Sequence, residues 1–531
     1  MGRVLDNAAP PSYRTSRKVN INSDIENRVI RLLAVAAVFV FCLHVFSDNK
    51  ADVDLWGNIG FVQAPAWASE FHHKNTFSFT EPDHRWVNHE WGAEYILHVT
   101  HEHFGNSGLL ALKIGLGLCV VLLMYASIRA DCPSAGIRFF YLLLTISTMS
   151  YGFSTRPHHF TYLLYALLLL LLKGWPRNRI LFLCLAPFLG MLWANLHGAF
   201  FIGALLIGIY IILETTRTSH VNDTTPRHIK ELGAALALFV AASLINPYGS
   251  KLWGFILDSA GMPRPYLSEW APFDRTAYLA IHPDFVMLAI ISFAAILFSS
   301  KPKDITWTGI LATSFVSAIV LRRNIPLFAI TAAFVVPLHI DDIAAKPLEK
   351  LGAAIPKRLI VGALCIFMIV SGWYALYFDK SNPFEIEVPQ DRFPSGIVHF
   401  MKENKLSGNA LVFFDWAEYS IWQLYPDCRQ FLDGRFSDAY SKQTIEDYFN
   451  FIYCKQGWEN ALNDYPTDIV LIHKGNPVYN KMTLRDDWLL VCEDNIAALF
   501  LKKSAHADFM EKLSSGKLRL PNSTGTTYFP E

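Results

Sequence analysis

The stretch VIRLLAVAAVFVFCLHVFSDNKADVDLW (residues 29–56) decides how this chain is read. An apolar run, Val29–Phe46, is long enough to begin a membrane crossing. It is followed by Ser47-Asp48-Asn49-Lys50, without a small-residue cleavage pattern, and then by the acidic pair Asp52 and Asp54. Ahead of it, Arg3, Arg14, Arg17, Lys18, Arg28 and Arg31 form a basic flank. This predicts an uncleaved first helix with its N-terminus in the cytoplasm. The acidic pair then falls on the far side of the membrane.

Working outward, further apolar segments lie near 108–128, 137–151, 159–173, 180–195, 199–213, 231–246, 285–300, 306–321, 325–338 and 358–377. A 52% hydrophobic composition is too apolar for a soluble globular chain and supports about eleven transmembrane helices. Alternate connectors carry Arg129 and Arg138; Lys173, Arg177 and Arg179; Arg217, Arg227 and Lys230; Lys301 and Lys303; and Lys346, Lys350, Lys357 and Arg358. These are assigned to the cytoplasm. The fold class is thus an α-helical polytopic membrane protein with a C-terminal α/β domain. The boundaries are a cytoplasmic tail 1–28, a transmembrane domain 29–377 that includes an outer loop 47–107, and a periplasmic domain 378–531. In the last, Ala410–Phe414, Asp468–His473, Trp488–Cys492 and Ala497–Leu501 read as strands and Trp416–Leu424 as a helix. Trp416, Tyr419 and Trp422 recur at helical spacing and read as core.

The opposite connectors hold the unusual residues: Asp52, Asp54, His89, Glu90, Arg156, His158, Asn195, His197, Asn246, Arg322 and Arg323. Ionisable groups at one membrane face are costly unless they handle something. Two carboxylates two apart can take a proton or hold a hard cation; an Asp there also caps helices. Arg156, placed before a span by Pro157, suits bidentate phosphate binding, although an arginine can equally snorkel to headgroups. Arg322-Arg323-Asn324 puts positive charge on the side that should be poor in it, which makes sense beside an anion. Trp56, Trp67, Trp86 and Trp91 suit headgroup level. His72-His73 and the other loop histidines show no tight zinc motif. The loop 247–284, with Arg264, Tyr266, Glu269, Trp270 and Asp274 among several prolines, is expected to be irregular and to lie over the site. Asp433-Gly434-Arg435 reads as a turn. Cys428, Cys454 and Cys492 allow at most one disulfide. Net charge is zero and names no partner; no nucleic acid is expected.

The short basic N-terminus, the single span, the long loop opening with Asp52 and Asp54, His89-Glu90-Trp91 and the C-terminal outer domain together resemble the GT-C superfamily of membrane glycosyltransferases. The likeness is to the protein-mannosyltransferase and aminoarabinose-transferase branch. Arg156-Pro157-His158, Trp193 to Gly198, Asn246-Pro247-Tyr248-Gly249 and Asp433-Gly434-Arg435 look like related bacterial members of inferred activity. The resemblance implies inverting transfer of a sugar from a polyprenyl-phosphate donor at the outer leaflet of the bacterial inner membrane. Asp52 or Asp54 would be the catalytic base. Arg156, His158, Arg322 and Arg323 would bind the donor phosphate. His89, Glu90, Asn195, His197 and Asn246 would line the substrate site. A divalent metal, Mg or Mn, would sit at Asp54 and Glu90. The partners implied are the lipid-linked sugar, membrane lipid, an acceptor glycan, lipid or protein, and a second membrane protein. A non-catalytic subunit of a larger assembly is the alternative. A transporter fits less well, because the charges cluster at one face and no repeat is visible.

Overall fold

In the computed structural model, residues 21–63, 74–175, 177–219, 225–260, 262, 264–272, 282–516, 518 and 526–530 are described. Trp67, His72, His73 and Asp274 lie outside them.

Fourteen helices of four residues or more precede the C-terminal region among the described residues. They are α1 (Ile21–Phe46), α2 (Leu55–Gln63), α3 (Trp91–Asp131), α4 (Ala135–Met149), α5 (His158–Gly174), α6 (Arg179–Leu196), α7 (Phe201–Ser219), α8 (Thr225–Ser243), α9 (Lys251–Ala260), α10 (Pro283–Phe298), α11 (Ile305–Val320), α12 (Ile325–Val335), α13 (Pro337–Ala354) and α14 (Lys357–Leu376). Each of the eleven expected apolar segments coincides with one of them. By length and composition, 25–46, 91–131, 179–196, 198–217 and 357–376 suffice to cross a bilayer. Helix α12, with its preceding turn, and α13 form a pair bent by 66° that would make a sixth. Helices α4, α5, α10 and α11 are apolar but shorter. The outward surface is rich in exposed Leu, Ile and Phe, such as Leu122, Ile212, Ile290 and Ile369. That inversion suits a lipid solvent.

The connectors depart from expectation in two places. Helix α3 starts at Trp91, well before the apolar segment at 108, and breaks at Gly105, whose φ of 60° glycine tolerates. The loop 247–284 is not wholly irregular: α9 forms between Pro247 and the later prolines, which all fall after Ala260.

The C-terminal region contains strands β1 (Glu387–Val388), β2 (Gly408–Val412), β3 (Cys428–Gln430), β4 (Ile469–His473), β5 (Trp488–Glu493), β6 (Ala497–Lys502) and β7 (Thr527–Tyr528). Five of them form one sheet in the order β3-β2-β4-β6-β5. The pairs β2–β3 and β2–β4 are parallel; β4–β6 and β5–β6 are antiparallel. The short strand β3 carries little hydrophobic pattern and was not foreseen. Both sheet faces are covered. Ala410, Val412, Ile469, Leu471, Leu499 and Leu501 pack in one cluster with Leu55, Trp56, Leu97 and Leu109. The alternate residues Leu411, Val470, Ile472 and Phe500 pack in another with Phe61, Phe77 and Trp86. This period of two explains why these strands read as continuous apolar runs. It also shows how segment 47–107 welds the C-terminal region to the bundle. The expectation of an interfacial tryptophan belt is corrected here: Trp56 is fully buried against Phe393 and Tyr419, and Trp86 is buried beside Phe61. Trp416 and Tyr419 are core as expected. The three C-terminal cysteines are all free thiols.

Candidate functional site

Where the bundle meets the C-terminal region lies a cavity of about 310 Å³. Asp54, His89, Glu90, Arg156, His158, His197 and Arg323 all line it. The connectors that carry them are far apart in sequence, and the helix ends bring them together.

Arg156, in the turn before α5, is one wall of it. Its Nε donates to Asp52 Oδ1 at 2.6 Å, and its Nη1 lies 2.9 Å from Asp54 Oδ2 and 3.1 Å from Glu269 Oε2. Three carboxylates around one guanidinium leave excess negative charge. Burial raises the Asp54 carboxyl to about 7; Arg156 opposes this, while the charges of Asp52, Glu269 and Glu90 add to it. Asp52 turns away from the main cavity. It walls two neighbouring cavities, and its Oδ1 also accepts the Asp54 N–H at 3.1 Å. Asp52 is therefore both an ion-pair partner and a helix-entry residue before α2.

Glu90 bridges two histidines. Its Oε1 lies 3.3 Å from His89 Nε2 and 3.1 Å from His197 Nε2. Burial would raise its carboxyl, yet the charge and hydrogen bonds of His197 and His89 hold it well below the usual range. Burial lowers His197. Its Nδ1 accepts the Ala199 N–H at 3.1 Å, which requires the neutral tautomer, so Nε2–H donates to Glu90. His89 is the opposite case. Burial works against its charge, but the hydrogen bond and charge of Glu90 and the charge of Asp438, 3.5 Å from Nδ1, lift it to about 9. One carboxylate thus holds one neutral and one charged imidazole.

Besides Asp52, three nominated residues do not line the cavity. Asn195 is used in packing: its Oδ1 accepts Trp91 Nε1–H, and its Nδ2 donates to the Met191 and Ile245 carbonyls. Asn246 folds its own turn, accepting the Tyr248 N–H and donating to Ser243 and Gly249 carbonyls. Arg322 is absent from the lining, whereas its neighbour Arg323 faces it and lies over Trp270 at 4.5 Å. A short turn sends adjacent side chains in different directions, which sequence spacing could not resolve.

The structure adds residues outside the nominated set. Glu269 joins Arg156, and Trp270 is flanked by Arg264 as well as Arg323. The expected position of loop 247–284 over the site was the signal for these. Glu418, Arg435 and Asp438 come from the C-terminal region. Glu418 accepts the Gly57 N–H at 3.1 Å. A β-carbon on Gly57 or Gly434 would overlap its carboxyl, and one on Gly434 would also lie 3.5 Å from Asp54 Oδ1. Burial, with the charges of Asp54 and Asp433, keeps Glu418 well above the usual range, so it is neutral beside Asp54. Asp433-Gly434-Arg435 is a turn as read, but Gly434 and Arg435 belong to the cavity wall.

Asp54 and Glu90, the metal candidates, share the cavity. Their oxygens, however, face Arg156 and two imidazoles, and among the described residues no group of three or more His, Cys, Asp or Glu is placed to hold an ion. This donor set does not fit a divalent cation.

No family model and no curated protein matches the chain. Among solved structures, ArnT from Cupriavidus metallidurans bound to undecaprenyl phosphate is similar, with a TM-score of 0.51 at 12% identity, over 88% of this chain and 97% of that one. The chain shares the fold of that protein over most of its length.

Proposed function

We propose that this protein transfers a sugar from a polyprenyl-phosphate donor to an acceptor hydroxyl, with inversion, at the outer leaflet of a bacterial inner membrane. The observation that carries the reading is Asp54: a cavity-lining carboxyl, gripped by Arg156, with its proton affinity raised to about 7. A general base works best when its pKa lies near the operating pH. The undecaprenyl phosphate bound to ArnT, a protein of the same fold, supports a polyprenyl-phosphate ligand here.

In this mechanism Asp54 takes the acceptor proton. The acceptor oxygen forms a bond to the anomeric carbon, and the bond from that carbon to the phosphate oxygen breaks. The electron pair leaves with the lipid phosphate. A neighbouring cavity lined by Arg156, His158, Tyr162, Arg323 and Leu327 offers the phosphate two guanidinium groups beside apolar walls. Glu269 is the arm to be displaced from Arg156, since its side chain is 41% exposed against 12% for Asp52. Charged His89 keeps positive potential nearby. Neutral Glu418 is a positioning residue behind Asp54.

The test is a transfer assay with protein purified into nanodiscs and a panel of polyprenyl-phosphate sugars. Turnover that is abolished in Asp54→Asn supports the reading. If the wild type consumes no donor, the reading falls and a non-catalytic subunit remains. Orientation is tested separately: a reporter after Lys357 should read cytoplasmic and one after Glu531 periplasmic, and the same side for both would overturn the placement.

A further inference from the structure

Two side chains of the cavity wall each carry a donor with no partner among the described residues. Asn58 Nδ2 and Arg435 Nη1 are buried without a hydrogen-bond partner among the described residues, and both residues line the cavity. Asn58 is 6% exposed and Arg435 7%. Buried unpaired donors are costly and uncommon. Local geometry explains how Arg435 comes to have one. Asp433 grips Nε and Nη2 at 2.8 and 2.6 Å, so that edge is taken and Nη1 is left over. The guanidinium is also fixed against the rings of Phe61 and Trp86, at 5.0 and 4.7 Å. It has no freedom to turn toward another acceptor.

The same cavity presents two buried carboxyl groups, Glu94 and Glu418. Each is anchored by one bond, Glu94 Oε2 by Asn88 Nδ2 at 2.6 Å and Glu418 Oε2 by the Gly57 N–H. Each therefore retains acceptor capacity.

We infer that Asn58, Arg435, Glu94 and Glu418 form the pocket for the transferred monosaccharide, and that it takes an uncharged, polyhydroxylated sugar. The inference rests on the glycosyl-transfer reading. The argument is one of complementarity. A hydroxyl both accepts and donates, so it satisfies an N–H on one side and a carboxyl oxygen on the other. An ammonium placed at these donors offers no acceptor and brings a second cation beside Arg435. A carboxylate would bring a further negative charge beside Asp54 and Glu418, whose carboxyls already raise each other. A site built around hydrogen bonds to hydroxyls rejects analogues that lack them far more strongly than an apolar pocket rejects a size change.

The experiment measures binding in nanodiscs, separately from turnover, for bare polyprenyl phosphate and for its hexose, amino-sugar and uronate esters. The wild type should bind the hexose ester more tightly than the bare lipid. Asn58→Ala should cut that preference by about tenfold, one neutral hydrogen bond's worth, and leave bare-lipid binding unchanged. Because Arg435 also packs the core, Asn58→Ala carries the test and Arg435→Lys is the second variant, expected to lose preference in the same direction. Equal binding of bare and hexosylated lipid, an unchanged preference in Asn58→Ala, or a preference for the amino-sugar or uronate ester would each overturn the pocket assignment. Failure to bind bare lipid would instead overturn the transfer reading on which it stands.

Discussion

Helix α5 has a half-buried ion pair at each end, and the two are built differently. Just past its C-terminal turn's start, Lys173 meets one carboxylate, Asp131, and gives its remaining protons to Ser127 Oγ at 2.8 Å and the Phe334 carbonyl at 2.9 Å. Three donors find three acceptors. Just before its N-terminus, Arg156 meets three carboxylates and walls the main cavity and three neighbouring ones. The first arrangement is closed: charge and hydrogen-bond capacity are used up by the protein. The second is over-supplied with negative charge and open to a cavity, so a ligand can exchange with one of its partners. Two ion pairs of similar burial can therefore differ in kind, and the difference lies in stoichiometry and access.

The largest expected effect separates them. Asp54→Asn keeps size and removes the proposed base, and should lower transfer by ~10²–10⁴-fold without loss of folding. Asp131→Asn should lower Tm and leave turnover per folded molecule unchanged. A transfer defect in the second variant equal to the first would erase the contrast.

Next is Arg156→Ala. Loss of charged hydrogen bonds to the donor phosphate should weaken donor binding by about 10- to 100-fold, and the carboxylates left behind should repel the phosphate further. Undiminished donor affinity would show that Arg156 is as closed as Lys173.

The pH dependence sharpens the comparison. Asp54 becomes a base only when deprotonated, so transfer should rise with pH and level off above about 7. Stability runs the other way. A folded value raised from the ordinary range near 4 means that the native state keeps a proton the unfolded chain has lost. Stability should therefore fall as pH rises from about 4 to about 7, and this slope should be shallower in Asp54→Asn, with the remainder coming from the other raised carboxyls, Glu94 and Glu418. Since Glu418 is neutral, Glu418→Gln should keep both the inflection and a rate within a few-fold; a collapse would mean that it acts as a carboxylate.

The smallest effect is Asn195→Ala. Its bonds all serve packing, so a loss of about 1 kcal/mol in stability is expected, read as a lower Tm, with transfer unaltered. A change in KM for the donor would return Asn195 to the site.

These contrasts mark what could be read along the chain. Periodicity and length fix the apolar helices, because a bilayer demands long apolar segments with internally satisfied backbones. The strands at 408–412, 469–473 and 497–502 were legible because burial on both faces makes an apolar run. Connector parity put Asp54, Glu90, Arg156 and His197 on one side, together with Asn195, Asn246 and Arg322, which do not line the cavity. What the sequence by itself could not determine was direction and partnership. Whether Arg322 or Arg323 faces the cavity depends on one short turn. Whether Glu90 is a metal ligand or a bridge depends on two histidines from different connectors. Glu418 and Arg435 enter the site from more than 300 residues beyond Asp54, carried there by the packing of the sheet on segment 47–107. Solvent preference acts on each segment separately and is written locally. Charge complementarity acts between segments, so only the tertiary structure decided it.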